Sequence, residues 1–193
     1  MNPTEGVPAA AGAPSVLVAW GRASASELLR GLLGEPVVVR HLCPACGSSE
    51  HGRPWLRPAE GGREELADLG LVVPSPTRPL LGGTDRGGRA GVRAPDVSIA
   101  HAGGLTLVGL CWSGRVGVDL EPLDAAAPAG VRHANDPDLS PIELWVRKEA
   151  YLKATGDGLR RPMDSIALGA TDATWGLIEV PGCVAARCWV AGP

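Results

Sequence analysis

The sequence predicts a mixed α+β chain. Three observations carry that expectation. Short β-branched runs recur along the chain, two Ser-led capping boxes open helices, and 193 residues suffice for one domain with a core or for two small halves. Each half reads as strands plus one helix, which suggests a duplicated architecture.

Residues 15–20, SVLVAW, read as a strand. Ser24 and Glu27 form a capping box that opens a helix over SELLRGLLG, and Gly34 closes it. PVVVRHLC, 36–43, is a second strand on its β-branched run. Residues 44–97 are rich in Gly, Pro, Arg and Ser and read mostly as loop, broken by one short helix, REELADLG, with 74–96 the least ordered part. Order returns at Val97. GLTLVGLCW, 104–112, and RVGVDLE, 115–121, flank Ser113-Gly114 and predict a hairpin with a two-residue turn. Ser140, Pro141 and Glu143 predict a capped helix from 140 to Thr155, stopped at Gly156. TWGLIEV and CVAARCWV flank Pro181-Gly182 as a terminal hairpin.

Composition narrows the function classes. The chain is 45% hydrophobic and 20% charged, with net charge −3 and pI about 5.8. This excludes a generic nucleic-acid binder. No apolar run reaches the ~18 residues of a membrane span. Residues 1–14 lack a basic segment and a long apolar one, so they are expected to be a disordered lead-in rather than a secretory signal. The five cysteines are an odd count, and three of them, Cys111, Cys183 and Cys188, sit in strand-like runs. Reduced thiols in a cytoplasmic protein are expected.

Two stretches carry chemistry. In GVDLE the period of a strand puts Val116, Val118 and Leu120 on one face and Arg115, Gly117, Asp119 and Glu121 on the other. The two carboxylates then lie ~6.7 Å apart along the strand. Gly117 on their face leaves room for a ligand to approach the backbone. In WVRKEAYLKATG, Glu149 and Lys153 are four apart on a helix and share a face, with Trp145 one turn earlier and Lys148 about 100° round. The chain has 16 Arg and only two Lys, Lys148 and Lys153. Where cations are nearly all Arg, two retained lysines point to sites that need a compact ammonium. Each feature alone also reads as a solvated strand face or a helix-surface ion pair. Together, the carboxylates suit a hard divalent cation, and the lysines suit the remaining charge of a di- or polyphosphate.

These residues resemble a known pattern. G-V-D-L-E followed by W-V-R-K-E-A-Y-L-K is similar to the paired signature of surfactin-type (Sfp-type) 4′-phosphopantetheinyl transferases, G-[VI]-D-[IL]-E and W-x-x-K-E-A-x-x-K. Gly117, Asp119, Glu121, Trp145, Lys148, Glu149, Ala150 and Lys153 all fit. Upstream, SIAHAGG, 98–104, resembles the family's S-H-S-G segment with His101 in the histidine's place and Ala100 where serine is usual. HGRPWL, 51–56, resembles its G-[KR]-P segment with Arg53 as the cation. The stretch from Arg53 to Ser98 is longer than in that pattern, and the 122–139 loop is shorter.

The resemblance implies a pseudo-twofold pair of α/β halves with coenzyme A between them. The expected boundaries are 1–14 as the lead-in, 15–98 as the N-terminal half, and 99–193 as the C-terminal half with the metal site. It implies transfer of the 4′-phosphopantetheine arm of coenzyme A to a serine of an apo acyl or peptidyl carrier protein, releasing adenosine 3′,5′-bisphosphate. Asp119, Glu121 and Glu149 would hold Mg²⁺, or Mn²⁺. Arg53, His101, Lys148 and Lys153 would contact coenzyme A. Glu149 and Lys153 would be catalytic, with Glu149 taking the serine proton directly or through a water. A monomer without nucleic-acid or membrane partners is expected. The alternative is a homologue that binds coenzyme A or a carrier without transfer. Separately, Cys43 and Cys46 with His41 and His51 read as a structural loop or as four zinc ligands.

Overall fold

The structure is a computed structural model that describes residues 16–43, 46–50, 52–59 and 94–192. The expected lead-in, the REELADLG helix and residues 74–93 of the expected loop lie outside the described residues.

Two three-stranded antiparallel sheets carry the fold. The first is β1 (Val16–Gly21), β5 (Leu105–Cys111) and β4 (Asp96–Ala102), in the order β1-β5-β4. The second is β6 (Arg115–Pro122), β8 (Cys183–Val190) and β7 (Thr174–Leu177), in the order β6-β8-β7. A two-stranded ribbon pairs β2 (Val37–Leu42) with β3 (Arg53–Pro58). The two larger sheets are connected alike. In each, the first strand leads into a helix, and a later hairpin returns so that its second strand pairs with the first. The sheets part between Cys111 and Arg115, so a division at 98/99 falls inside β4.

The helices form as their caps predict. α1 (Ala25–Leu33) starts at a complete Ser24–Glu27 capping box, ends at left-handed Gly34, and buries Leu29 and Leu33. α2 (Pro141–Thr155) has a complete Ser140–Glu143 box, Pro at its start and left-handed Gly156 at its end. It is buried on most sides, through Leu144, Val146, Lys148, Ala150, Leu152 and Ala154, because it packs against both β6 and β8.

The expected hairpin across Ser113-Gly114 does not form, because β5 and β6 belong to different sheets. Gly103 and Gly104, at φ 58° and 70°, make the tight turn instead and join β4 to β5. Successive positive φ values suit the right-handed twist of paired strands. Thr106 to Cys111 are all buried, as befits the central strand of a covered sheet. The stretch 44–97, expected to be mostly loop, holds the strand β3 in spite of Pro54 and Pro58. Among the described residues, β2 and β3 each pair only with the other, and such edge strands tolerate proline.

β6 is held on both sides. One edge pairs with β8 from Arg115 to Pro122. Toward the other edge, two side chains of β4 accept its amides: Val116 N–H donates to Asp96 Oδ2 at 2.8 Å, and Val118 N–H to Ser98 Oγ at 3.0 Å. The constant offset of twenty residues runs β6 alongside β4 in the same direction. Val116, Val118 and Leu120 face a core shared with Leu107 and Cys111. Gly117 faces α2, where a Cβ would lie 1.8 Å from the Ala150 carbonyl oxygen. The room expected there for a ligand is taken by helix backbone.

Around the cysteine pair, Cys43 N–H donates to Ser48 O at 2.9 Å and Gly47 N–H to Cys43 O at 2.8 Å, which closes a short turn. His41 Nδ1 lies 3.2 Å from Gly52 O. Cys43, Cys46 and His41 do not form a metal-holding group among the described residues, and His51 lies outside them.

Candidate functional site

The close contact at Gly117 decides where the acids go. Helix α2 crosses directly over β6 there, so Glu149 and Lys153 are carried to the strand face that bears Asp119. Lys153 Nζ lies 2.7 Å from Asp119 Oδ1. Asp119 is almost entirely buried, and its other oxygen, Oδ2, is buried with no hydrogen-bond partner among the described residues. Glu121 and Glu149 are half-buried nearby.

The electrostatics show that the three carboxylates share one neighbourhood. Burial pushes the Asp119 carboxyl up to about 6, against the pull of Lys153, and the charges of Glu149 and Glu121 push the same way as burial. Burial also raises Glu149, again opposed by Lys153, and Glu121 adds to the rise. Mutual repulsion of this kind marks carboxylates gathered for a purpose more often than a solvated face. The interaction crosses from strand to helix, as the two motifs together required.

The donors fit a hard divalent cation. All three are carboxylates, and Asp119 Oδ2 is a buried acceptor with no donor among the described residues. In the arrangement present, no three of the described His, Cys, Asp or Glu side chains close on one point, and Lys153 stands at Asp119.

The cations expected at the site part company. Lys153 belongs to the cluster. Lys148 does not: it is fully buried and donates to Val131 O at 2.7 Å, Asp136 Oδ2 at 2.6 Å and Met163 O at 3.0 Å. Its three N–H groups are used, so the expected phosphate contact from Lys148 gives way to a packing role. A rotation of about 100° from Glu149 turns it toward the 131–136 loop and residues 163–168. Sequence reading passed over its partner Asp136, which sits in a loop as part of Asn-Asp-Pro. That carboxylate also accepts from His133 N–H and Leu168 N–H.

Arg53 lies at the far end of α2. Its guanidinium makes a paired contact with Asp96, 3.2 Å from Nε and 2.6 Å from Nη2, and Nη1 reaches the Lys153 and Ala154 carbonyls. Arg115 joins it there by donating to Thr155 O. His101 is exposed on β4, with Nδ1 3.2 Å from Thr106 Oγ1. The β4–β6 offset sets it level with Glu121. A groove of about 1170 Å³ is lined by Trp20, Leu123, Ile142, Leu177, Val180 and Cys183, and none of Asp119, Glu121, Glu149 and Lys153 lines it. Cys183 pairs with Pro122, next to Glu121. Among the described residues no helix is long and apolar enough to cross a membrane.

Comparison with known proteins bears on the same region. A protein of Synechocystis sp. (strain ATCC 27184 / PCC 6803 / Kazusa) named "Putative 4′-phosphopantetheinyl transferase" is 30% identical over 90 residues, which cover 38% of this chain and 37% of that protein. The match thus spans little more than a third of the relative's length. Residues 115–192, the stretch that holds Asp119, Glu121, Glu149 and Lys153, match the model of the 4′-phosphopantetheinyl transferase superfamily.

Proposed function

We propose that this chain transfers the 4′-phosphopantetheine arm of coenzyme A to a serine of an apo acyl or peptidyl carrier protein, releasing adenosine 3′,5′-bisphosphate. The observation that carries the proposal is the convergence of Asp119, Glu121, Glu149 and Lys153 from a strand and a helix within the region similar to the superfamily. A Sfp-type arrangement is proposed with it: two α/β halves related by a pseudo-twofold, with coenzyme A between them. The like connection of the two larger sheets supports that arrangement.

The residues take distinct parts. Asp119, Glu121 and Glu149 would hold Mg²⁺, or Mn²⁺, which when bound supplies positive charge to the diphosphate. Lys153 neutralises a phosphate oxygen and orients the diphosphate for in-line attack. His101, exposed and level with Glu121, faces the nucleotide side, and Arg53 holds the end of α2 from which Lys153 projects. Glu149, whose affinity for a proton is raised by burial, accepts the proton of the carrier serine directly or through a water. The serine oxygen bonds to the β-phosphorus. The bond from that phosphorus to the bridging oxygen breaks, and the bisphosphate leaves with the electron pair. A cytoplasmic, monomeric enzyme is proposed.

Incubation of the protein with coenzyme A, Mg²⁺ and an apo carrier tests this directly. The carrier should gain the mass of one phosphopantetheine arm, and the gain should vanish when Mg²⁺ is chelated. No gain with several fatty-acid, polyketide and peptide carriers would overturn the reading.

A further inference from the structure

The two lysines of the chain are each paired with an aspartate, yet in opposite ways. Lys148 is inaccessible, and its ammonium is held by three oxygens. Among the described residues Lys153 has a single partner, Asp119 Oδ1, and 31% of its side chain is exposed. The first is locked in place, and the second is free to leave. Its partner carries a second oxygen that is buried and has no hydrogen-bond partner among the described residues.

We propose that Lys153 is a displaceable counter-ion, which competes with the divalent cation for Asp119 and is released toward the substrate phosphate when the cation arrives. The proposal rests on the transferase reading of this site. Asp119, Glu149 and Glu121 feel one another's charge, and among the described residues Lys153 is the ammonium paired with Asp119. A divalent cation supplies more charge at the same place. An ammonium and a dication on one carboxylate repel each other, so binding of the cation weakens the Lys153–Asp119 pair. The released ammonium, whose side chain is already 31% exposed, is then available to a diphosphate bound beside that cation. Cation and diphosphate therefore favour each other's binding, and the lysine holds down cation binding when no diphosphate is present.

Mn²⁺ titration followed by electron paramagnetic resonance, on the full chain without nucleotide, tests the exchange. Lys153→Met should bind Mn²⁺ about 10-fold tighter than the parent, equivalent to about 1.4 kcal/mol. Lys153→Arg, which keeps the competing charge, should bind like the parent, and Asp119→Asn should lose binding. Equal or weaker binding by Lys153→Met, with loss in Asp119→Asn, would overturn the exchange while leaving the cation site standing. Undiminished binding by Asp119→Asn would remove the cation site itself. The parent protein gives a second readout that needs no variant. Lysine labelled with ¹³C at Cε alone yields two signals, one for each lysine, and saturating Mg²⁺ should shift that of Lys153 and leave that of Lys148. A Lys153 signal that stays in place at saturation would overturn the exchange.

Discussion

The carbonyl oxygen of Ala150 sits over Gly117 so closely that a methyl group on that glycine would lie 1.8 Å from it. This contact seats α2 on β6 and brings Glu149 and Lys153 to Asp119. The Gly117→Ala variant should therefore lose at least about 2 kcal/mol of stability, since the obstacle is helix backbone with no rotamer to change. Gly109→Ala is the control. Its Cβ would meet Val118 Cγ1 at 2.6 Å, a side-chain methyl rather than backbone, and a contact less severe than the 1.8 Å at Gly117. Urea unfolding should show the larger loss at Gly117. An equal or smaller loss there would contradict the packing.

The Lys148–Asp136 pair is inaccessible on both sides. Replacing either partner alone, as in Lys148→Met or Asp136→Asn, should cost about 3–5 kcal/mol by stranding the other charge. Transfer by the folded fraction of Lys148→Met should keep its KM for coenzyme A. A raised KM with normal stability would return Lys148 to the substrate.

Acid should act through the same aspartate. Burial alone would raise the Asp136 carboxyl, but the bonds from Lys148, His133 and Leu168 and the charge of Lys148 outweigh it and hold the group below its ordinary 3.8. A group lowered on folding contributes stability that is present above its unfolded value and lost as pH falls through its folded one. Stability should therefore decline below about pH 4, and Asp136→Asn should flatten that decline. Urea midpoints from pH 6 to pH 2.5 measure both. Parallel declines in parent and variant would dismiss the assignment.

At the candidate site, Asp119→Ala and Glu149→Ala should each lower transfer at least ~10³-fold with the fold intact. Lys153→Ala should slow it about 10- to 100-fold and weaken coenzyme A binding. Carrier mass gain over time, with circular dichroism as the fold control, checks all three. An active Asp119→Ala protein would refute the site.

Ser98 offers a test of the seam between the sheets. Its hydroxyl is the acceptor for Val118 N–H. Ser98→Ala leaves that buried amide unmatched and should cost about 1–3 kcal/mol. Hydrogen exchange at Val118 should quicken. Unchanged protection would place the acceptor elsewhere.

Local chemistry alone determined much of this protein. Both helices begin and end where their Ser–Glu boxes and glycines said, because a cap is satisfied within four residues. The alternation in β6 correctly separated Val116 and Val118 from Gly117 and Asp119, since that period belongs to the strand itself. The two motifs by themselves single out Asp119, Glu121, Glu149 and Lys153. Tertiary structure alone decided the rest. A Ser-Gly dipeptide permits a turn without choosing the strand's partner, so β5 went to β1 and β4, and β6 to β8. Gly117 received a helix instead of a ligand because the space above it is set by whatever packs there. Lys148 and Lys153 are the same residue type five positions apart, and only packing could turn one toward Asp136 and the other toward Asp119. Burial and partner choice are sums over distant segments, and no short window of sequence contains them.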